Sequence, residues 1–413
     1  MRELEEEWER QRLRGLRLVV RALQLMGAWP PGADAGAGGG GGGGGVRRRL
    51  YRAYVAAATA LMASYPACAL CVLAGTRADI QVTAVLVGVT SSYVGAIFKM
   101  FTLCYKRSQV SGLVRAVQRE FPRSPLLAGR AQRAVAASAG QHGARLTALF
   151  VALCCFSVFN WSLGPIALHL LGGGGGALAL CLPWFPDHQP AGAAFRLVYG
   201  YQVATLVLVA LWVGALDAFL LVLLVYAAGQ LRVLNCTLLQ MGARSDDGTE
   251  GQREKFASNA SAMLRECAKH HLEVCRFVQD VEQVAAPALT LQLLVSTFLL
   301  CMSAFTATQI PVGSPLLARV VVYMLTGASE LLIFCKYCDD VISESERVQQ
   351  ALYGSGWSAQ GGAFSRGVLI MLARAQRPLC LRAAHVHPVS LQTFTKVLNA
   401  SYTVFTLMRQ IKD

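Results

Sequence analysis

Residues 388–413 read PVSLQTFTKVLNASYTVFTLMRQIKD. From Val389 to Met408 the segment is long enough to cross a bilayer, whose hydrocarbon core takes roughly 20 helical residues. It is also unusually polar for lipid, because Gln392, Thr393, Thr395, Lys396, Asn399, Ser401, Thr403 and Thr406 interrupt the apolar run. Hydrocarbon offers no hydrogen-bond partners, so such a spanning helix must face protein or water on at least one side. The inside of a helix bundle and the wall of a water-filled path both satisfy that demand.

The rest of the chain supplies the setting. Of 413 residues, 54% are apolar and only 15% charged, and the mean hydropathy is +0.43. These values predict an all-α polytopic membrane protein rather than a soluble globule. The formal net charge of +14 is assigned to cytoplasmic loops, with nucleic-acid binding the weaker reading and no nucleic-acid partner expected. No cleavable signal peptide is expected, and Met1 to Arg21 reads as a charged, partly amphipathic helix. Most of the 13 cysteines lie within apolar runs, where they act as small hydrophobes. The CxxC pairs at Cys68/Cys71 and Cys335/Cys338 lack a second pair or nearby histidines, so no metal or cofactor is expected.

Seven spans are predicted. Residues 1–53 form a cytoplasmic helix and a linker from Ala33 to Gly45 that ends in eight glycines. Residues 54–226 hold spans one to four, with an outer loop at 172–196. Residues 227–287 are a cytoplasmic helical connection, 288–338 carry spans five and six, 339–387 are a cytoplasmic anchor segment, and 388–413 form span seven. Lys99, near the far end of span two, is expected to reach the membrane interface by its stem. Asp217 is expected to face the bundle in a structural role. Adjacent His270 and His271 diverge on a helix, which favours surface packing over metal binding.

Basic residues set the orientation. The N-terminus and the second, fourth and sixth loops hold thirty Lys/Arg, against Arg77, Arg196 and Arg319 in the first, third and fifth loops. A cytoplasmic N-terminus and, after seven crossings, an extracellular C-terminus follow. That is opposite to G-protein-coupled receptors. On this topology none of the sequons at Asn160, Asn235, Asn259 and Asn399 is expected to carry a glycan.

The words SLQTFTKVLNASYTVFTLMRQ resemble the C-terminal signature of insect odorant receptors, roughly S-L-x-T-F-x-x-[IV]-L-x-x-S-Y-[ST]-x-F-T-L-[LM]-R. LRECAKHHLEVCRFVQDVEQV, DDVISESERVQQALYGSGW and FSRGVLIMLARAQRPLCLRAA are similar to segments of the same family. The resemblance implies an odour-tuning subunit of a tetrameric, odorant-gated, nonselective cation channel at the plasma membrane of olfactory neuron dendrites. It implies an obligate co-receptor, small volatile odorants and membrane lipid as partners, and no enzymatic activity. The co-receptor itself has a longer connection between spans four and five. The terminal motif places Leu407 and Ile411 at the family's apolar gate, with Gln410 beside them. A pocket among spans two, three, four and six implies Ser92, Tyr93, Phe156, Phe159, Trp161, Val209, Trp212, Tyr323 and Met324 as ligand-binding residues. Gustatory-type channels of the same superfamily are the nearest alternative, with a different terminal motif. A transporter is expected to show inverted repeats or broken helices with paired midplane charges, and an enzyme a catalytic constellation, and the sequence shows neither convincing halves nor such a set.

Overall fold

The computed structural model describes residues 2–27, 29, 44–75, 80–170, 193–242, 250–357 and 362–412. Most of the predicted glycine linker, and the outer loop up to residue 192, lie outside the described residues. The chain is a helix bundle: α1 (Arg2–Arg12), α2 (Arg14–Leu25), α3 (Gly44–Gly75), α4 (Ile80–Tyr105), α5 (Arg107–Arg115), α6 (Arg130–Leu170), α7 (Ala193–Gly242), α8 (Glu250–Gln309), α9 (Pro315–Tyr353), α10 (Gly362–Ala375) and α11 (Leu391–Lys412). Six of these, α3, α4 and α6 to α9, are long and apolar enough to cross a membrane. The seventh long helix, α11, has 22 residues but is interrupted by its polar side chains. One two-stranded ribbon, β1 (Arg382–Ala383) antiparallel to β2 (His387–Pro388), was not expected from the sequence. Its turn holds Ala384 and His385 at φ of 50° and 58°.

The long helices do not stop at the membrane. At 1.5 Å per residue, the 50 residues of α7 span roughly 75 Å and the 60 of α8 roughly 90 Å, against a hydrocarbon core of about 30 Å. The boundaries drawn at 227, 288 and 339 therefore fall inside continuous helices. Pro287 sits within α8. Beyond the apolar halves, α7, α8, α9 and α10 form a second core. Its α8 stripe is Cys267, His270, His271, Val274, Val278 and Val281, all buried at the spacing of one helix face. His270 and His271 are thus not on the surface as expected, because both fall on this buried stripe. His270 lies edge-on to Phe121.

At the centre runs α7, buried on every side from Gly214 to Leu231, as a helix apolar all round must be. The N-terminal segment breaks at Leu13 into two helices. Leu16, Val19, Val20 and Leu23 of α2 form a buried face that packs on α6 and α7, each large side chain contributing about 1.5–3 kcal/mol. Trp8 Nε1 donates to the Arg133 carbonyl at 2.9 Å, and Arg12 Nη1 to that of Val117 at 2.7 Å. The backbones touch at Gly140, where a Cβ would stand 2.1 Å from the Arg12 carbonyl oxygen. The Asn235 amide is buried and donates to the Glu344 carbonyl at 3.1 Å, which agrees with an unglycosylated side chain.

Two outcomes are expected. Gly140→Ala should lower the thermal stability of the purified protein by about 1–3 kcal/mol through overpacking, whereas Gly112→Ala, which meets no atom within 4 Å, should not. A melting curve for each variant decides. Burial, foremost, lowers both His270 and His271 to about 4, helped by His271 and by Arg374 respectively. The unfolded chain, with histidine near 6.5, then binds protons that the folded one does not between those values. Stability should fall as pH drops from about 6.5 toward 4, by at most about 3 kcal/mol per histidine. Replacing both histidines should flatten that slope in thermal unfolding measured across this range.

Candidate functional site

Within the apolar half of the bundle, α4, α6, α8 and α9 enclose a small cavity of about 20 Å³, lined by Gly88, Val89, Trp161, Met302, Ser303, Thr306, Val320 and Tyr323. This is room for about one water molecule, far below the ~300–1,000 Å³ usual for small-ligand sites, so a ligand would have to displace the side chains that close it. Its floor is Tyr323. The Tyr323 hydroxyl donates to the Gly88 carbonyl at 3.3 Å and lies 2.9 Å from Ser92 Oγ. Trp161 stands edge-on to the Tyr323 ring with centroids 5.6 Å apart. Gly88 and Tyr323 each sit eight residues into their helices, or ~12 Å below that end of the bundle.

Below Tyr323 lies a second, polar chamber of about 50 Å³, whose lining includes Ser92, Gly95, Lys99, Gln292, Ser296 and Glu330. Lys99 Nζ donates to both Asp217 oxygens at 2.7 and 2.9 Å and lies 3.6 Å from Glu330 Oε1. Gln292 Nε2 donates to the same Glu330 oxygen at 2.8 Å and to Ser296 Oγ at 3.2 Å. Four helices meet in this network. Lys99 therefore does not reach the interface as expected: carboxylates from α7 and α9 stand at its depth, and pairing there costs less than stretching to water. The expectation that Asp217 faces the bundle agrees with its complete burial.

Ser92, Trp161 and Tyr323 are thus brought together. Tyr93 points elsewhere, stacked on Tyr65 at 4.2 Å with its hydroxyl 3.3 Å from Thr205 Oγ1. Val209 and Trp212 are buried in helix packing, and Met324 is half-buried against the core. Phe156 and Phe159 are 54% and 60% exposed on the outside of α6. At about 100° per residue they fall roughly opposite Trp161, so they cannot share its cavity. The α8 wall was not foreseen. Ser303 and Thr306, three apart in an otherwise apolar run and both buried, were its sequence signal.

At the far end of the chain, α11 contacts, among the described residues, only α8 and α9 substantially. Among its described side chains Val397 and Ser401 are buried, while Gln392, Thr395, Lys396, Asn399, Thr403, Leu407 and Gln410 are exposed. Ile411 lies in its last turn, with its side chain outside the described residues.

Comparison with known proteins places this architecture. The family profile described as "7tm Odorant receptor" matches residues 82–402. Odorant receptor Or2 of Anopheles gambiae is 28% identical over 193 residues, 45% of this chain and 48% of that protein. Odorant receptor 2a of Drosophila melanogaster is 26% identical over 233 residues, 55% of this chain and 59% of that protein. The chain thus aligns with about half the length of these relatives. The odorant receptor coreceptor of Aedes aegypti is 28% identical over 171 residues, 40% of this chain and 36% of that one. The structure of the olfactory receptor OR5 from Machilis hrabei in complex with eugenol has the same fold, with a TM-score of 0.78 at 15% identity, covering 96% of this chain and 97% of that one.

The buried network yields a test. Lys99→Met leaves two buried carboxyl groups without their cation and should cost about 3–5 kcal/mol. Adding Asp217→Asn should restore part of that loss. Recovery and melting temperature of the detergent-solubilised protein measure both, and equal stability of wild type and Lys99→Met would contradict the role of the network.

Proposed function

The chain belongs to the 7tm odorant receptor family, and on that premise we propose that it is the odorant-binding subunit of a ligand-gated, nonselective cation channel assembled with a co-receptor. One observation carries the channel reading: α11 presents Gln392, Thr395, Lys396, Asn399 and Thr403 to the outside of a single chain. Lipid cannot accommodate that face, so neighbouring chains and a water path must. Exposed Leu407 and Gln410, followed by Ile411, fit an apolar constriction with a polar neighbour. An apolar ring of this kind blocks ions by dewetting.

The cavity above Tyr323 is the ligand site in this reading, with Trp161 and Tyr323 as binding residues, Ser92 acting on it from the chamber below through the Tyr323 hydroxyl, and Ser303 and Thr306 added from α8. Its apolar walls and few hydroxyls suit a small volatile molecule. Burial of ~200 Å² at about 25 cal/mol per Å² gives about 5 kcal/mol, so affinities of micromolar or weaker are expected. Binding opens the channel only so far as the open arrangement binds better, with about 1–3 kcal/mol of coupling per site. In this reading the N-terminus lies in the cytoplasm and α11's end outside, a reading the asymmetry of basic loops supports, and the receptor sits in the dendritic membrane of olfactory neurons, which rests on the family reading.

Expression with a co-receptor and recording of odour-evoked cation current over a broad panel tests the proposal, and silence across the panel would count against it. In responding cells, Tyr323→Phe removes the hydroxyl contacts to Ser92 and Gly88, worth about 1 kcal/mol. It should shift odorant potency about five-fold while surface assembly stays intact. Loss of assembly instead would assign Tyr323 to the fold.

A further inference from the structure

Outside the apolar half of the bundle, α8, the end of α10 and the ribbon border a groove of about 650 Å³. Its lining includes Gln279, Glu282, Arg374, Arg377, Cys380 and Arg382. Three guanidinium groups meet one carboxylate. Arg374 is held in place by donating from Nη1 to the Arg377 carbonyl at 3.1 Å. Arg377 and Arg382 are exposed, and among the described residues neither has an ion pair. Glu282 is turned toward the ribbon, 3.9 Å from His385 Nδ1.

The depth of the groove narrows the choice of ligand. Glu282 lies six residues before Ala288 on one continuous helix, or ~9 Å along it from where the apolar run begins. The ribbon is moored at that same level, since the Ala384 N–H donates to Thr290 Oγ1 at 2.6 Å. Arg382, two residues from that bond, therefore stands where lipid headgroups lie. Arginine forks match phosphate oxygens, and basic pockets beside spanning helices at the cytoplasmic face hold phosphorylated headgroups.

We propose that Arg374, Arg377 and Arg382 form a binding site for a multiply phosphorylated inositol headgroup, carried by an anionic lipid of the adjoining leaflet. The site rests on the membrane reading of α8 and not on the odorant reading. Occupancy ties the end of α10 and the ribbon, which leads directly into α11, to the membrane surface.

The full-length purified chain in phosphatidylcholine nanodiscs, titrated with fluorescent dioctanoyl phosphatidylinositol 4,5-bisphosphate, tests it. The variant Arg377→Gln/Arg382→Gln should bind about five-fold less tightly per arginine, hence about 30-fold for the pair. Arg366→Gln, an exposed arginine of α10 outside the groove, should bind as wild type. Competition by free inositol 1,4,5-trisphosphate at concentrations equal to the lipid assigns the site to a soluble polyphosphate; failure to compete assigns it to the lipid. Equal binding by the double variant and wild type, or no binding by wild type, overturns the proposal. So does a changed oligomer size in size-exclusion chromatography with lipid binding unaltered, which makes the groove a contact between chains. Nanodiscs offer the lipid to both faces, so neither topology nor odour response affects the readout.

Discussion

A lysine buried between two acids constrains this molecule more than any other contact. Lys99 of α4, Asp217 of α7 and Glu330 of α9 meet at 2.7 to 3.6 Å, and Gln292 of α8 adds an amide donor. In a low-dielectric interior each charge is costly alone, so the four helices are held in one register or the site is left uncompensated. Such a network adds little net stability compared with an apolar core of the same shape. What it specifies is which helices are neighbours and at what height.

That height positions the cavity. The Ser92–Tyr323 contact lies between the polar chamber and the apolar space beneath Trp161, so the floor of one is the ceiling of the other. A ligand that displaces Tyr323 therefore acts on a partition backed by fixed charges. The helix α11 packs on the same two helices, α8 and α9, that wall the cavity. Cavity and polar helix thus share their supports, and a shift of α8 or α9 reaches both.

Sequence reading recovered much of this and missed some of it for definable reasons. The long apolar runs announce the spanning helices, and the polarity of residues 391–410 marks α11 as unlike the others. Trp161 and Tyr323 line one cavity and Ser92 touches it only through the Tyr323 hydroxyl, while Phe156 and Phe159 lie on the far side of α6, a separation that aromatic content misses because it carries no helical phase. The buried stripe through His270 and His271 was visible at spacings of three and four, yet two adjacent histidines in a polar segment suggested a surface. Lys99 was read from its position in its own helix, while its partners come from two distant ones.

The amino-acid sequence by itself determined the class: apolar runs longer than a bilayer require helices, since only they satisfy their own backbone in lipid. It also determined the asymmetry of basic loops and the motif that carries the family. Tertiary structure alone decided which polar groups meet in the interior, that α8 rather than α7 supplies a wall of the cavity, and that three arginines converge on one groove. Those facts depend on the rotation and depth of each helix relative to others far away in the chain. Helix rotation and depth follow from packing among neighbours, which no single stretch of residues encodes.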